Sequence, residues 1–182
     1  HGIAPDQAGI KAAAVVLAGA AGGVVWGFVV DRAGATRPRN KLFTLAGLCV
    51  CTMLVLTPTF WASTQASGLT MQAQFALIVV GGLLMACTPG AASALVIDVV
   101  HPGMRATGSS VLGLTQNLLG LAVGPFVVGL LSDAYDLNIA LAIVPAFSLL
   151  AAALFLLAAR SYEPDMHRVD RIRVEAEAAA AA

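Results

Sequence analysis

The sequence predicts an all-α fold, a polytopic transmembrane helical bundle of five spans. The chain is 59% hydrophobic and only 11% charged, where an ordinary soluble domain is roughly 25% charged, so it lacks the charges to cover a water-facing surface. Its mean hydropathy is +0.87. Not one Asp, Glu, Lys or Arg lies between Lys41 and Asp98, and further uncharged runs cover 12–30, 106–132 and 137–159. About 20 apolar residues in a helix cross a hydrocarbon core of roughly 30 Å, and these runs have that length or more.

The first span covers about residues 8–30. Asp6 precedes it in place of a basic start and four spans follow, so it does not read as a cleavable signal peptide. The chain starts at His1 without Met, which reads as a cut. Gly23 and Gly27 form a Gly-x-x-x-Gly pair that admits a neighbouring helix closely. The uncharged run 42–97 is too long for one crossing. It divides at Thr57-Pro58 and the polar stretch Ser63-Thr64-Gln65-Ala66-Ser67-Gly68, a short hydrated loop, giving spans at 42–62 and 73–99. The third span is broken near its middle by Cys87-Thr88-Pro89-Gly90, where proline removes a backbone bond and kinks the helix.

The fourth span, 106–132, carries Thr115-Gln116-Asn117 near the bilayer midplane and then Gly120, Gly124 and Pro125. Amides at that depth turn to the bundle interior or a water-filled cavity. For Gln116 and Asn117, substrate contact and hydrogen bonding across helices both stay open. The fifth span, 138–160, is nearly all Leu, Ala, Ile and Phe and reads as lipid-facing. Residues 161–182 form a soluble tail. Glu163-Pro164-Asp165 suits the start of a short helix, Arg168, Arg171 and Arg173 suit anionic headgroups, and the closing alanine run reads as frayed.

Arg32, Arg37, Arg39 and Lys41 follow the first span, Arg105 the third, and Arg160, Arg168, Arg171 and Arg173 the fifth. The alternate loops hold uncharged polar residues (63–72) or Asp133 and Asp136. Of the ten Lys and Arg residues, all but Lys11 fall on one side. Basic residues concentrate in short cytoplasmic loops, so the N-terminus is placed outside and the tail in the cytoplasm. Cys49, Cys51 and Cys87 lie inside spans without further Cys or His nearby, and read as small apolar residues instead of metal ligands. No span centre carries an ionisable side chain, so the constellation a membrane enzyme needs is missing. No catalytic residue, cofactor, metal or nucleic-acid partner is expected.

Where the first span meets the basic loop stands Gly27-Phe-Val-Val-Asp31-Arg32-Ala-Gly34. Gly27 permits close helix contact, Gly34 a tight reversal, and Asp31 a pairing with the positive N-terminal end of a neighbouring helix. The string resembles the Gly-x-x-x-Asp-Arg-x-Gly-Arg signature of the major facilitator superfamily, found after the second helix of each six-helix half. The basic pair that usually follows the second glycine is replaced by Ala35-Thr36, with Arg37, Arg39 and Lys41 coming later. A second string, Gly129 to Asp133, has the spacing but not the Arg, and reads as a helix end.

The resemblance implies that the chain is helices eight to twelve of a transporter's C-terminal half, a partial major-facilitator fold. Arg105-Ala-Thr-Gly-Ser-Ser, Asn117-Leu-Leu-Gly and Gly124-Pro125 are similar to the eleventh helix of bacterial spinster-like transporters. The closing Ala159 to Asp165 is similar to their C-terminus, which implies a bacterial inner membrane. It also implies a cytoplasmic gate at Gly27, Asp31, Arg32, Gly34, Asp98 and Arg105, with Asp98 paired to Arg32; the alternative makes Asp98 a proton-coupling acid. Thr88, Ser93, Gln116 and Asn117 become substrate-cavity candidates, and Pro89, Gly90, Gly120, Gly124 and Pro125 become kink or packing positions. The implied function is secondary active transport of a small organic or lipid-like solute by alternating access. Its partners are that substrate, the lipid bilayer, the missing N-terminal half and protons as a coupling ion. A non-transporting membrane scaffold also fits the hydrophobicity, but gives no reason for the motif or the kinked helix. Without its partner half, the chain reconstituted in vesicles is expected to show no saturable uptake, and saturable uptake by the fragment would overturn that expectation.

Overall fold

The computed structural model describes residues 5–64, 70–135 and 137–181. Most of the expected hydrated loop, and Asp136, lie outside them. The helices are α1 (Pro5–Gly34), α2 (Asn40–Thr64), α3 (Met71–Met85), α4 (Cys87–Val99), α5 (Arg105–Thr115), α6 (Val123–Ala134), α7 (Leu137–Ile143), α8 (Phe147–Ala158) and α9 (Tyr162–Ala181). No strand occurs among the described residues. Five segments are long and apolar enough to cross a membrane: Gly9–Gly34, Asn40–Ala62, Met71–Val99, Pro102–Ala134 and Leu137–Ala158. The expected spans agree with them to within about a turn.

Each interruption of a span has a local cause. The third span breaks at Ala86, between α3 and α4, because Pro89 has no N–H for the carbonyl four residues back, that of Met85. Pro145 does the same in the fifth span, where a 3-10 turn (Val144–Ala146) separates α7 from α8. Pro58, by contrast, is carried inside α2. The fourth span widens into a π-helical turn at Gln116–Ala122. There the Asn117 side-chain amide donates to the Gly113 carbonyl at 2.7 Å, the acceptor that the Asn117 backbone N–H would use in an α-helix, which favours a shift of the ladder to wider spacing. Unwinding thus comes before Gly124-Pro125, and Pro125 sits harmlessly in the first turn of α6.

The centre of the bundle is α2, which packs on α1, α3 and α4 on one side and on α7, the 3-10 turn and α8 on the other. The main core cluster joins Val30 of α1, Leu42, Leu45 and Leu48 of α2, Leu84 of α3, Cys87, Ala91 and Leu95 of α4, with Ala159 and Tyr162. The fifth span is therefore not wholly lipid-facing: Ala140, Ala142, Pro145 and Ala152 are buried against α2, while Leu149, Leu150, Leu154 and Leu157 stay exposed. The fourth span contributes no buried residue. It touches the rest through α4 and α7 alone among the larger contacts of the described residues.

The glycine pair that the sequence singles out is not where helices come closest. A Cβ on Gly22 would collide with the Leu83 carbonyl of α3, whereas one on Gly23 would find only the Ala86 oxygen at 3.8 Å, and one on Gly27 nothing within 4 Å. The α1–α3 seam is closed by Gly22 and by the Trp26 indole, which donates to the Leu83 carbonyl at 3.0 Å. An added Cβ on Gly90, Gly120 or Gly124 likewise meets nothing within 4 Å among the described residues. In the tail, α9 runs to Ala181, in keeping with alanine being the strongest helix former. Gly22→Ala is expected to lower the thermal midpoint in detergent by several degrees, an overpacking cost of about 1–3 kcal/mol. Gly27→Ala is expected to hold or raise it, because only helix propensity changes there; equal effects would refute the seam.

Candidate functional site

A cluster of charged residues, Asp31, Lys41 and Asp98, forms at the end where α1 stops, α2 starts and α4 stops. A short reversal links α1 to α2, with the Ala35 N–H donating to the Arg32 carbonyl (3.2 Å) and the Asn40 N–H to the Arg37 carbonyl (2.9 Å). The Asn40 side-chain amide donates to the Thr36 hydroxyl at 3.0 Å. This turn sets Lys41 in the first turn of α2, alongside the last turn of α1. Its stem then crosses Gly34: a Cβ there would lie 2.6 Å from Lys41 Cγ and 2.7 Å from Cε. Gly34 serves less as a reversal than as the groove through which Lys41 reaches across the helix end.

At the far side Lys41 Nζ donates to Asp98 Oδ2 at 2.9 Å. The Tyr162 hydroxyl, from the start of α9, donates to the same oxygen at 2.6 Å. Asp31 Oδ1 lies 4.0 Å from Lys41 Nζ, and its side chain is 72% exposed. These pairings answer helix electrostatics. Asp98 and Asp31 sit at the C-terminal ends of α4 and α1, where the dipole disfavours an anion, and Lys41 sits at an N-terminal end, where it disfavours a cation. Bringing them together offsets all three. Tyr162 is buried at 5% exposure. Burial foremost, and then the hydrogen bond to Asp98 and its charge, push the Tyr162 phenol well above the ordinary tyrosine range.

Gly27, Val30, Asp31, Lys41, Gly90, Ala91 and Ala94 line a cavity of about 90 Å³ beneath the cluster. A second link joins the α1–α2 loop to α9, with Arg39 Nε 3.9 Å from Glu163 Oε1.

Of the expected gate residues, the structure brings together Asp31, Gly34 and Asp98. The partner assigned to Asp98 is corrected: it is bound by Lys41 and Tyr162, and Arg32 lies exposed without an ion pair among the described residues. The α1–α2 turn instead brings Lys41, whose side chain is only 20% exposed, beside Asp98. Arg105 begins α5 on an exposed surface, outside the cluster. Sequence reasoning misses Lys41 as a site residue; the absent basic pair at Ala35-Thr36, with Arg37, Arg39 and Lys41 displaced down the chain, is the signal that could have found it. Nothing local marks Tyr162.

A larger cavity of about 510 Å³ opens between α2, α4 and the fifth span. Its lining is apolar apart from Cys49, Thr52, Thr88 and Ser148. Thr88 is among the lining residues, while Ser93, Gln116 and Asn117 are not. Ser93 donates to the Pro89 carbonyl at 3.0 Å, and Gln116 and Asn117 sit on the exposed face of the fourth span.

A family model described as Major Facilitator Superfamily matches residues 1–179. Neither a curated protein nor a solved structure matches the chain.

The raised Tyr162 value has a defined sign. The folded state holds its proton above the unfolded value of roughly pH 10. Its contribution to stability is therefore complete below that pH and is lost as pH rises through the folded value. In a Tyr135→Phe background, the remaining tyrosine is expected to ionise above the ordinary range. The fall of the thermal midpoint beyond about pH 10 is expected to flatten in Tyr162→Phe; an ordinary titration would contradict the buried hydrogen bond.

Proposed function

The chain belongs to the major facilitator superfamily, a family of membrane transporters, and we propose that its charged end is the cytoplasmic gate of an alternating-access secondary transporter. The observation that carries this reading is the Lys41–Asp98–Tyr162 cluster, which ties α2, α4 and α9 at the point where the Gly27–Gly34 string ends. The side is assigned by charge, since basic residues are retained in cytoplasmic loops, so the N-terminus faces outside and α9 the cytoplasm. The unburied fourth span supports placing these helices as eight to twelve of a C-terminal half. A partner half would then cover that span, and the Gln116 and Asn117 amides with it, because polar groups at bilayer depth need partners that lipid does not offer.

In such a transporter two halves rock about a central site. Closed, Lys41 holds the ends of α1, α2 and α4 together, and the exposed Asp31 carboxylate is available to the helix N-termini of the facing half. Asp98 is already paired with a lysine and hydrogen-bonded by a phenol, which favours a gate partner over a proton-coupling acid. The cavity at Thr88, apolar with a few hydroxyls, suits an amphipathic organic or lipid-like solute. That agrees with a spinster-like member of a bacterial inner membrane.

The test uses the full-length protein with Cys49, Cys51 and Cys87 replaced by Ser and a single Thr88→Cys reporter, labelled by a membrane-impermeant maleimide from either side of oriented vesicles. Lys41→Met is expected to raise cytoplasmic-side labelling by about tenfold, the worth of a charge-assisted hydrogen bond. Labelling that ignores both side and variant would remove the gate and leave a scaffold.

A further inference from the structure

We infer that Tyr162 is a positioning residue of that gate and that α9 is coupled to the gate's state through it; the inference rests on the gate reading. Asp98 Oδ2 accepts both Lys41 Nζ and the Tyr162 hydroxyl. Burial explains why the ring is in the core with Val30, Leu42, Leu95 and Ala159. It does not explain why the hydroxyl takes the same oxygen as the lysine.

Lys41 has a second acceptor within reach, since Asp31 Oδ1 stands 4.0 Å from its ammonium on a different helix. Moving from Asp98 to Asp31 needs only a swing of the side chain over Gly34, which has no Cβ to obstruct the stem. The obstacle is what stays behind. A half-buried carboxylate left without any donor is costly, and with Lys41 away Tyr162 is the donor that remains. The phenol keeps Asp98 satisfied while the cation is away and so lowers the cost of opening. The same bond anchors α9, whose Met166 packs on the core cluster beside Tyr162, so the position of Lys41 is felt by the C-terminal helix.

The sign of the effect separates this from a merely structural contact. If Tyr162 only pinned α9, removing its hydroxyl would loosen this end and raise cytoplasmic labelling at the Thr88→Cys reporter. If it substitutes for Lys41, removing it leaves Asp98 dependent on the lysine, and the gate stays shut. In the full-length protein, Tyr162→Phe keeps the ring in place and is expected to lower cytoplasmic-side labelling by a maleimide about tenfold, while Lys41→Met raises it. In the same variant, trypsin cleavage after Arg168 and Arg171 is expected to quicken several-fold, because α9 loses its anchoring bond. Labelling that is unchanged or raised in Tyr162→Phe, with Lys41→Met still raising it, overturns the positioning role and leaves the gate standing. Labelling indifferent to Lys41→Met removes the gate and this inference with it.

Discussion

Hydrocarbon offers no hydrogen bonds, and an unsatisfied backbone group there costs several kcal/mol. A chain with uncharged runs of this length therefore has to close its backbone bonds within each segment. The polar side chains inside the spans follow the same constraint. Thr44, Thr52, Thr59, Ser93, Ser110 and Thr115 each donate to the carbonyl one turn back in their own helix. Ser148 is different: its single hydroxyl proton is shared between the Pro145 carbonyl at 2.6 Å and the Cys49 carbonyl of α2 at 2.9 Å. The fifth span is thereby fixed to the central helix at the point where proline has opened its own ladder.

Charge is confined by the same physics to the ends of the spans, and there the helix dipoles decide who pairs with whom. Two carboxylates sit at C-terminal helix ends and one lysine at an N-terminal end, each unfavourable alone. Their association is favourable, and it needs Gly34 to let the lysine stem through. The motif glycine, the displaced lysine and the acid of α4 make one arrangement, with α9 fastened to it by a single phenol. The family signature thus keeps its acid and its second glycine in the cluster, while its arginine stays exposed.

Glycines show where sequence pattern and packing part company. Gly23 and Gly27 have the spacing of a close helix contact, yet Gly22 is the residue against a neighbouring backbone. Spacing defines a face of the helix, but the rotation of that face depends on which residues the neighbour presents, here Leu83 with its carbonyl also held by Trp26. In the fourth span the π turn at Gln116–Ala122 contains Gly120 and shifts Gly124 from the α-helical register that the spacing assumes.

Hydropathy and the scarcity of charge were enough to determine five spans, their approximate ends, the break at Pro89 and the sorting of basic residues to one side. These follow from transfer free energy and backbone bonding, which act residue by residue along the chain. The Gly27–Gly34 string was legible because its residues are neighbours in sequence. The partners of Asp98 come from residues 57 and 64 positions away, and only the docking of α2 and α9 on α4 brings them to one oxygen. Tertiary structure also decided that Lys41 and not Arg32 serves the acid, that Thr88 lies in a cavity without Gln116 and Asn117, and that the first turns of α9 pack on the core through Tyr162 and Met166. Each depends on the relative rotation of packed helices, which no local pattern encodes.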